Sequence, residues 1–585
     1  VSALREAIAA VRARPGTAAV VSLGIAFGLV MHSMGWAQLA HYAQVRALAD
    51  GTAEIDRYQW ETNDKAYVDG HFYSVKPPGV AALSVPAYLA IDALGGKELA
   101  REAAANARRT ADPRWDPPEV VPIENYGYSF ERGRAIQIQI EQHAPLIWVL
   151  TLIVAVIPAV LLLLGVRWAA DRLEPGYGTA AAVTLGLGTI LFSFASEYFS
   201  HVIAAALGFG AFLVLWRERG GAPSPRTVAV AGLLAGLGVS FELQVGMVGV
   251  ILFVYALAGR SDRLRQAGAY AGGAVCGALP LLAFNLWAFG NPLKLAYGDA
   301  VAEPGLTGHD ELGLNSDGVF GISPPRVDGA AELLLSSRGL LVLTPIVAMA
   351  VVGVVLMHRR GHRGEAKVIG AVALAYFLYN AGYWLPMGGG TPGPRFLIPA
   401  LPFLALGLAF AYRRLPALTL ALAIPSALFM VSAAFTFPLL GDQGTGEWAQ
   451  RLFDGRLEHT LLTVLGVSNA WLAVVPVLAA LAAAVVLAVR ATPRTPLDAP
   501  LPALGVVAAW AALSAFGPAI AGSPTTPVDD TEALWLIGIS AAGSAALLGW
   551  VAWRRRFAQS GVAAKAAAGG AEAPEAEPAL GERTP

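Results

Sequence analysis

"VAALSVPAYLAIDAL", residues 80–94, is the stretch on which the topology of this chain turns. It is apolar, but it has 15 residues and contains Pro86 and Asp92. A spanning helix needs about 20 mainly apolar residues. Whether it crosses decides the side of every later loop. Suppose that it does not cross and that the N-terminus is cytoplasmic. The inside connections then hold Arg167/Arg172, Arg217/Arg219/Arg226, Arg260/Arg263/Arg265, Arg359/Arg360/Arg363/Lys367, Arg413/Arg414, Arg490/Arg494 and Arg554/Arg555/Arg556. The outer connections after residue 143 hold Lys294, Arg326, Arg338, Arg395, Arg451 and Arg456. Cytoplasmic loops carry the excess of Lys and Arg, so this arrangement obeys the rule, and a crossing at 80–94 would invert it. Residues 80–94 are therefore predicted to lie at the outer interface or to re-enter.

The rest of the chain sets the class. It has 585 residues, 56% of them hydrophobic and 14% charged, against about 25% charged in a soluble domain. Apolar runs recur at 17–36, 144–166, 179–196, 198–216, 228–241, 243–258, 268–289, 339–357, 368–387, 396–412, 415–438, 470–490, 501–520 and 533–553. They predict an all-α polytopic membrane protein of about 14 transmembrane helices. The pair around Glu242 reads as one kinked helix or two short ones. Arg5, Arg12 and Arg14 precede the first run, which is long for a signal peptide and reads as a retained anchor. Residues 1–16 form a cytoplasmic lead, and 37–143 a large first outer loop. Shorter outer loops follow at 290–338 and 439–469. Residues 441–556 add C-terminal transmembrane helices, and 557–585 read as a disordered cytoplasmic tail. The net charge of −1 implies no nucleic-acid partner, and the lone Cys276 excludes a disulfide within the chain.

With sidedness set, polar residues from separate segments fall on one face. The first outer loop brings Asp50, Glu54, Asp56, Asp64, Asp69, His71, Tyr73 and Lys76. Glu197 and His201 lie in "ASEYFSHV" (195–202), Glu242 in "VSFELQ" (239–244), and Arg395 in "GGGTPGPRFLIPALPFL" (388–404). Ionisable groups at the bilayer are costly and point to function. Each also has a plainer reading. Asp69 begins an Asp-Gly turn. Lys76 can snorkel at the interface. Glu197 and His201, one helical turn apart, can pair locally. Glu242 and Asp56 can be solvated loop acids. Pro77-Pro78 direct the chain into 80–94. Arg395 is harder to read as structural, because a cation at a helix start opposes the macrodipole; a bound anion would explain it.

One chemistry uses such a set. Sugar transfer from a lipid phosphate needs a base for the acceptor hydroxyl, cations for the departing phosphate, and a groove open to lipid. A proton-coupled transporter also uses acids and histidines, usually at mid-membrane. A third class is a catalytically silent scaffold.

"IDRYQWETNDKAYVDGHFYSVKPPG" (55–79) resembles the first outer loop of GT-C-fold membrane glycosyltransferases. These include the protein O-mannosyltransferases and the lipid A aminoarabinose transferases. It is most similar to a bacterial branch whose pattern is Asp-x-Tyr, then Asp-Lys-Ala, then Gly-His-Tyr-Tyr-Ser-Asp-Lys-x-Pro-Gly. "GLGTILFSFASEYFSHVIAAAL" (186–207), "FNLWAFGNPLKLAYG" (284–298), "SSRGLLVLTPIV" (336–347) and "GPRFLIPALPFLAL" (393–406) resemble later stretches, in order, over about 17–440. The resemblance implies a polyprenyl-phosphate sugar donor, an inverting transfer on the outer face of a bacterial cytoplasmic membrane, and an outer-loop carboxylate as base. The acceptor would be a cell-envelope glycan, lipid or protein. Two departures stand out. Val75 occupies the place of an Asp, and no acid follows the first span until Asp50. Asp56, at the Asp-x-Tyr position, is the first candidate base, with Asp64 and Asp69 after it. Lys76 and Arg395 would hold phosphate; His71, Tyr73, Glu197, His201 and Glu242 would line the sugar or acceptor site. The insertion 97–142 would shape acceptor choice. Outer carboxylates suit a divalent metal, but no spacing here is a metal signature.

Overall fold

The computed structural model describes residues 13–32, 34–110, 142–221, 224–301, 318–439, 444–495, 500–523 and 527–569. Most of the N-terminal lead, residues 111–141 of the insertion and 570–585 of the tail lie outside the described residues.

The fold is helical; among the described residues eight helices are long and apolar enough to cross a membrane, or up to ten if two bent helix pairs each count as one span. Four shorter apolar helices accompany them: Pro15–Leu29, Gly178–Leu187, Pro225–Val239 and Val245–Leu257. Among the described residues, sheet is confined to the hairpin Lys65–Val68/His71–Ser74 and the two-residue pair Val30–Met31/His459–Thr460.

Residues 79–93 are helical, and the chain then turns by 83° into the helix from Gly96, a broken span or a re-entrant loop. Asp92 and Lys97 pair at 2.6 Å across that bend.

Several expected spans are corrected. The first helix stops at Leu29, because Val30 and Met31 extend to pair with Thr460 and His459; a separate helix, Trp36–Ala49, follows. The run 179–196 is two helices, Gly178–Leu187 and Leu191–Ser196, with Thr189 Oγ accepting from Leu191 N at 3.2 Å in the break. Pro345 separates Leu340–Leu343 from Ile346–Arg359, and the Val327–Leu343 and Ile346–Arg359 segments lie 87° apart. Of the two readings of the stretch around Glu242, the structure has the two short helices, Pro225–Val239 and Val245–Leu257. The last helix continues to Gly569 and so enters the stretch read as disordered; its Ala-rich sequence favours helix.

Packing depends on small residues, as expected where lipid supplies no hydrophobic drive between helices. Gly232 and Gly236 face Gly273 and Gly277 across the Pro225–Val239 and Arg263–Phe289 helices, and a Cβ at any of them would run into the other helix's backbone. The Leu401–Arg414 helix is buried on nearly every side, which places it at the centre of the bundle.

Two helices connect two polar zones. His201–Arg219 starts at His201 and ends beside the buried Glu218–Arg260 pair, about 27 Å along its axis at 1.5 Å per residue. Arg395–Arg414 starts at Arg395 and ends where Arg413 and Arg360 meet the buried Glu174. Arg360 and Arg413 thus meet at Glu174 and Arg260 at Glu218, while His201 and Arg395 stand at the opposite ends of these two helices.

Candidate functional site

The local fold of 55–79 follows from its turn. Asp69 and Gly70 both have positive φ, 51° and 93°, the two-residue turn that best matches the twist of a hairpin. The second strand ends at Ser74, and Pro77 and Pro78 lead into the Gly79–Ala93 helix. Gly79 N donates to the Ser240 carbonyl at 2.8 Å, and a Cβ at Gly79 would clash with that carbonyl. The step is therefore pinned under the tip of the Pro225–Val239 helix, and Lys76 is held just before it.

There a recess with about 370 Å³ of empty space is lined by His41, Lys76, His201, Glu242, Tyr297 and Arg395, with Phe199, Ser200 and Gln244 beside them. Six separate segments contribute. Lys76 Nζ pairs with Asp64 Oδ2 at 2.7 Å, both side chains largely buried. His201 Nδ1 lies 3.1 Å from Glu242 Oε1, and Ser200 Oγ also donates to that carboxylate. Arg395 is half-buried against the rings of Phe199 and Phe396. Its Nε is buried without a hydrogen-bond partner, and the side chain makes no ion pair among the described residues. The glycine-rich loop before it shapes this pose: Gly388 and Gly389 have φ of 77° and 132°, and Arg338 donates to the Gly389 carbonyl at 2.6 Å.

His41 was not among the sequence candidates. It is 1% exposed, and its Nδ1 has no partner. Burial, then the nearby Lys76 and Arg395 cations, push its pKa down to about 3, so the ring is neutral at pH 7. The signal was present in "WAQLAHYAQ" (36–44), where Gln38, His41 and Gln44 recur every three residues in an otherwise mostly apolar stretch.

The other sequence candidates separate. Asp56 and His71 lie at the exposed hairpin, with His71 Nδ1 2.7 Å from Asp56 Oδ2 and Phe72 N donating to Asp56 Oδ1 at 2.6 Å. That hydrogen bond raises the His71 pKa. Asp69 sits in the turn itself. Tyr73 packs its ring on Phe289, 4.9 Å between centroids, away from the recess lining. Asp64 does not line the recess itself but is the first-loop acid that pairs with its Lys76, and its charge acts on both His41 and Tyr297. Glu197 and His201 do not pair. Glu197 has extended backbone (ψ 152°), His201 begins the next helix, and their side chains enter different chambers.

Among the described residues, no group of three His, Cys, Asp or Glu side chains is arranged to hold a metal ion. No protein-family model matches the chain, and no curated protein matches it. The recess combines two cations, one of them without an ionic partner, with a carboxylate and two histidines. Chemically, it can hold an anion and accept a proton.

Proposed function

We propose that this chain is a membrane glycosyltransferase of the GT-C kind, moving a sugar from a polyprenyl-phosphate donor to an acceptor hydroxyl. The observation that carries this reading is Arg395, a guanidinium without an ionic partner among the described residues, beside Lys76 in a recess at a helix start. A planar guanidinium grips phosphate with two parallel hydrogen bonds, and Lys76 adds a point charge.

In this reading the acceptor oxygen attacks the anomeric carbon as the carbon–phosphate-oxygen bond breaks, and the configuration inverts. The acceptor proton passes to a first-loop carboxylate, and the phosphate leaves onto Arg395 and Lys76. Asp64 is the base we favour over Asp56 and Asp69, because it sits 2.7 Å from Lys76. The neutral His41 and the His201–Glu242 pair bind sugar hydroxyls. The finer architecture belongs to the same proposal: about 14 spans, a GT-C-like first loop, both termini cytoplasmic, and the recess on the outer face of a bacterial cytoplasmic membrane.

The buried His201–Glu242 pair would also suit a proton-coupled transporter. Purified protein in proteoliposomes separates the two. Sugar transfer from a polyprenyl-phosphate donor without charge movement supports the transferase; charge movement without transfer supports the transporter; neither supports a silent scaffold.

A further inference from the structure

Arg338 is 5% exposed, and it does not line the recess. Burying a guanidinium is costly unless its donors are used, so their destination is informative. Arg338 Nη1 donates to the Gly389 carbonyl at 2.6 Å and, at 3.5 Å, to the Thr391 carbonyl. Both carbonyls belong to "GGGTPGPR" (388–395), the loop that ends at Arg395.

Four of the six residues 388–393 are glycine. Glycine has the most backbone freedom to lose on ordering, so this loop keeps one shape only where contacts fix it. From within, the buried Thr391 donates from Oγ1 to the Gly393 and Met387 carbonyls at 2.7 and 3.1 Å. Arg395 N also donates to the Met387 carbonyl, at 3.3 Å. From outside, Arg338 holds Gly389 and Thr391.

The backbone held in this way is the surface on which Arg395 rests. A Cβ at Gly388 would stand 3.0 Å from Arg395 Cγ and 3.1 Å from its Nε, and one at Gly389 would stand 3.6 Å from Nη1. The arginine side chain lies on a seat of two bare glycines, so a shift of that backbone shifts or unseats the guanidinium. Arg338 is itself braced by C-terminal segments. Thr445 Oγ1 donates to the Ser337 carbonyl at 2.8 Å, Ser337 N donates to Ser523 Oγ at 3.3 Å, and a Cβ at Gly444 would lie 3.2 Å from Arg338 Cγ. Among the described residues, none after Phe396 lines the recess; the C-terminal region reaches it along this line of contacts.

We infer that Arg338 is a positioning residue for the phosphate site: it clamps the glycine loop and so fixes the pose in which Arg395 meets a lipid phosphate. The inference rests on the reading of Arg395 as a phosphate ligand. A guanidinium holds its donors in a rigid planar fork, whereas a lysine is a point charge on a flexible stem, so the clamp depends on shape and not on charge alone.

The test is equilibrium binding of farnesyl phosphate, a polyprenyl phosphate without sugar, to the purified full chain in nanodiscs, with Tm taken on the same samples. Arg338→Gln should weaken binding about tenfold, and Arg338→Lys should not restore it. In an Arg395→Gln background, already weakened, Arg338→Gln should cost less than about twofold more, because residues that act as one unit are not additive. A general loss of structure, or a long-range pull of the Arg338 charge on the phosphate, would weaken binding equally in both backgrounds. Thr391→Val loosens the same loop without changing charge and should show the same non-additivity; it serves as the test if Arg338→Gln does not fold. Equal losses in both backgrounds, rescue by Arg338→Lys, or wild-type affinity in both Arg338→Gln and Thr391→Val while Arg395→Gln is impaired, would overturn the inference alone. Wild-type affinity in Arg395→Gln would overturn it together with the phosphate reading.

Discussion

Replacing Arg395 by Gln or Lys tests the phosphate site, and the structure sets how large each effect should be. Arg395 makes no ion pair among the described residues, and its visible partners are the Phe199 and Phe396 rings at 5.8 and 5.2 Å. Losing two cation–π contacts costs the fold about 1–2 kcal/mol, and no carboxylate is left stranded. Donor binding should suffer more. Arg395→Lys keeps the charge and loses the paired geometry, at about 1.5–3 kcal/mol for one charge-assisted bond, or roughly ten- to hundredfold in affinity. Arg395→Gln loses the charge too and should weaken binding by about a hundredfold or more. Lys76 is a poorer probe. Lys76→Ala strands Asp64 in a largely buried position, and breaking such a pair costs about 3–5 kcal/mol, so lost binding there would be confounded with unfolding. The assay is equilibrium binding of a polyprenyl-phosphate sugar to protein in nanodiscs, with Tm measured on the same samples. Wild-type affinity in both Arg395 variants, at normal Tm, would leave this arginine as a stacking residue and remove the phosphate site.

Asp64→Asn should lower transfer by roughly 10²–10⁴-fold, read in samples whose Tm shows them folded because the substitution strands Lys76 as Lys76→Ala strands Asp64, while Asp56→Asn stays within a few-fold of wild type; the reverse pattern would move the base to the exposed hairpin. His41, held at about 3 in the fold against an unfolded value near 6.5, contributes stability that is complete above pH 6.5 and is lost as pH falls below it. The loss is ~1.4 kcal/mol per unit, so between pH 7 and 4.5 His41→Gln should be spared about 3 kcal/mol of the wild-type loss; equal acid sensitivity in unfolding scans would argue against a buried neutral ring. Gly79→Ala forces a Cβ against the Ser240 carbonyl and should cost about 1–3 kcal/mol while also weakening donor binding through Lys76; an unchanged Tm would show that the Pro-Pro step is not pinned there. In a Cys276→Ala background, Arg57→Cys should react with an impermeant thiol reagent from outside intact cells and Arg359→Cys should not, and the opposite result would invert the topology.

The helices were legible wherever a long apolar run also stayed helical. The long run ending at Leu173 was, and so was 470–490. Hydropathy failed where the backbone breaks without a change in polarity. Residues 179–196 carry no charge, yet the chain is broken between Leu187 and Leu191. In 339–357 the break lies at Pro345, a residue visible in the sequence and outweighed by its apolar neighbours. The site candidates were legible because charge is conspicuous in such a chain. Their partners were not. Spacing suggested a Glu197–His201 pair, but spacing predicts contact only inside a continuous helix. Here a new helix starts at His201, which sends the two side chains to different chambers.

The departure at Val75 has a physical account in the hairpin register. The Asp69-Gly70 turn pairs Lys65 with Ser74. One step further along that register, Val75 N donates to the Asp64 carbonyl at 3.3 Å, and Asp64 Oδ2 reaches Lys76 at 2.7 Å. The side chain of Val75 packs with Ala66 and Ala300 in a small apolar cluster. An acid at position 75 would be buried against those methyl groups, at a cost that burial of an unpaired charge always carries. The carboxylate beside Lys76 comes from the opposite strand end instead. If the transfer reading holds, Asp64, the acid of the Asp-Lys-Ala element, is the carboxylate that remains beside Lys76 when position 75 carries none. In that case Val75→Asp combined with Asp64→Asn should not restore turnover, because the new carboxylate would face Ala66 and Ala300 and not Lys76. Recovered sugar transfer in that double variant, measured in proteoliposomes, would show that either strand end can serve the site and would refute the register argument.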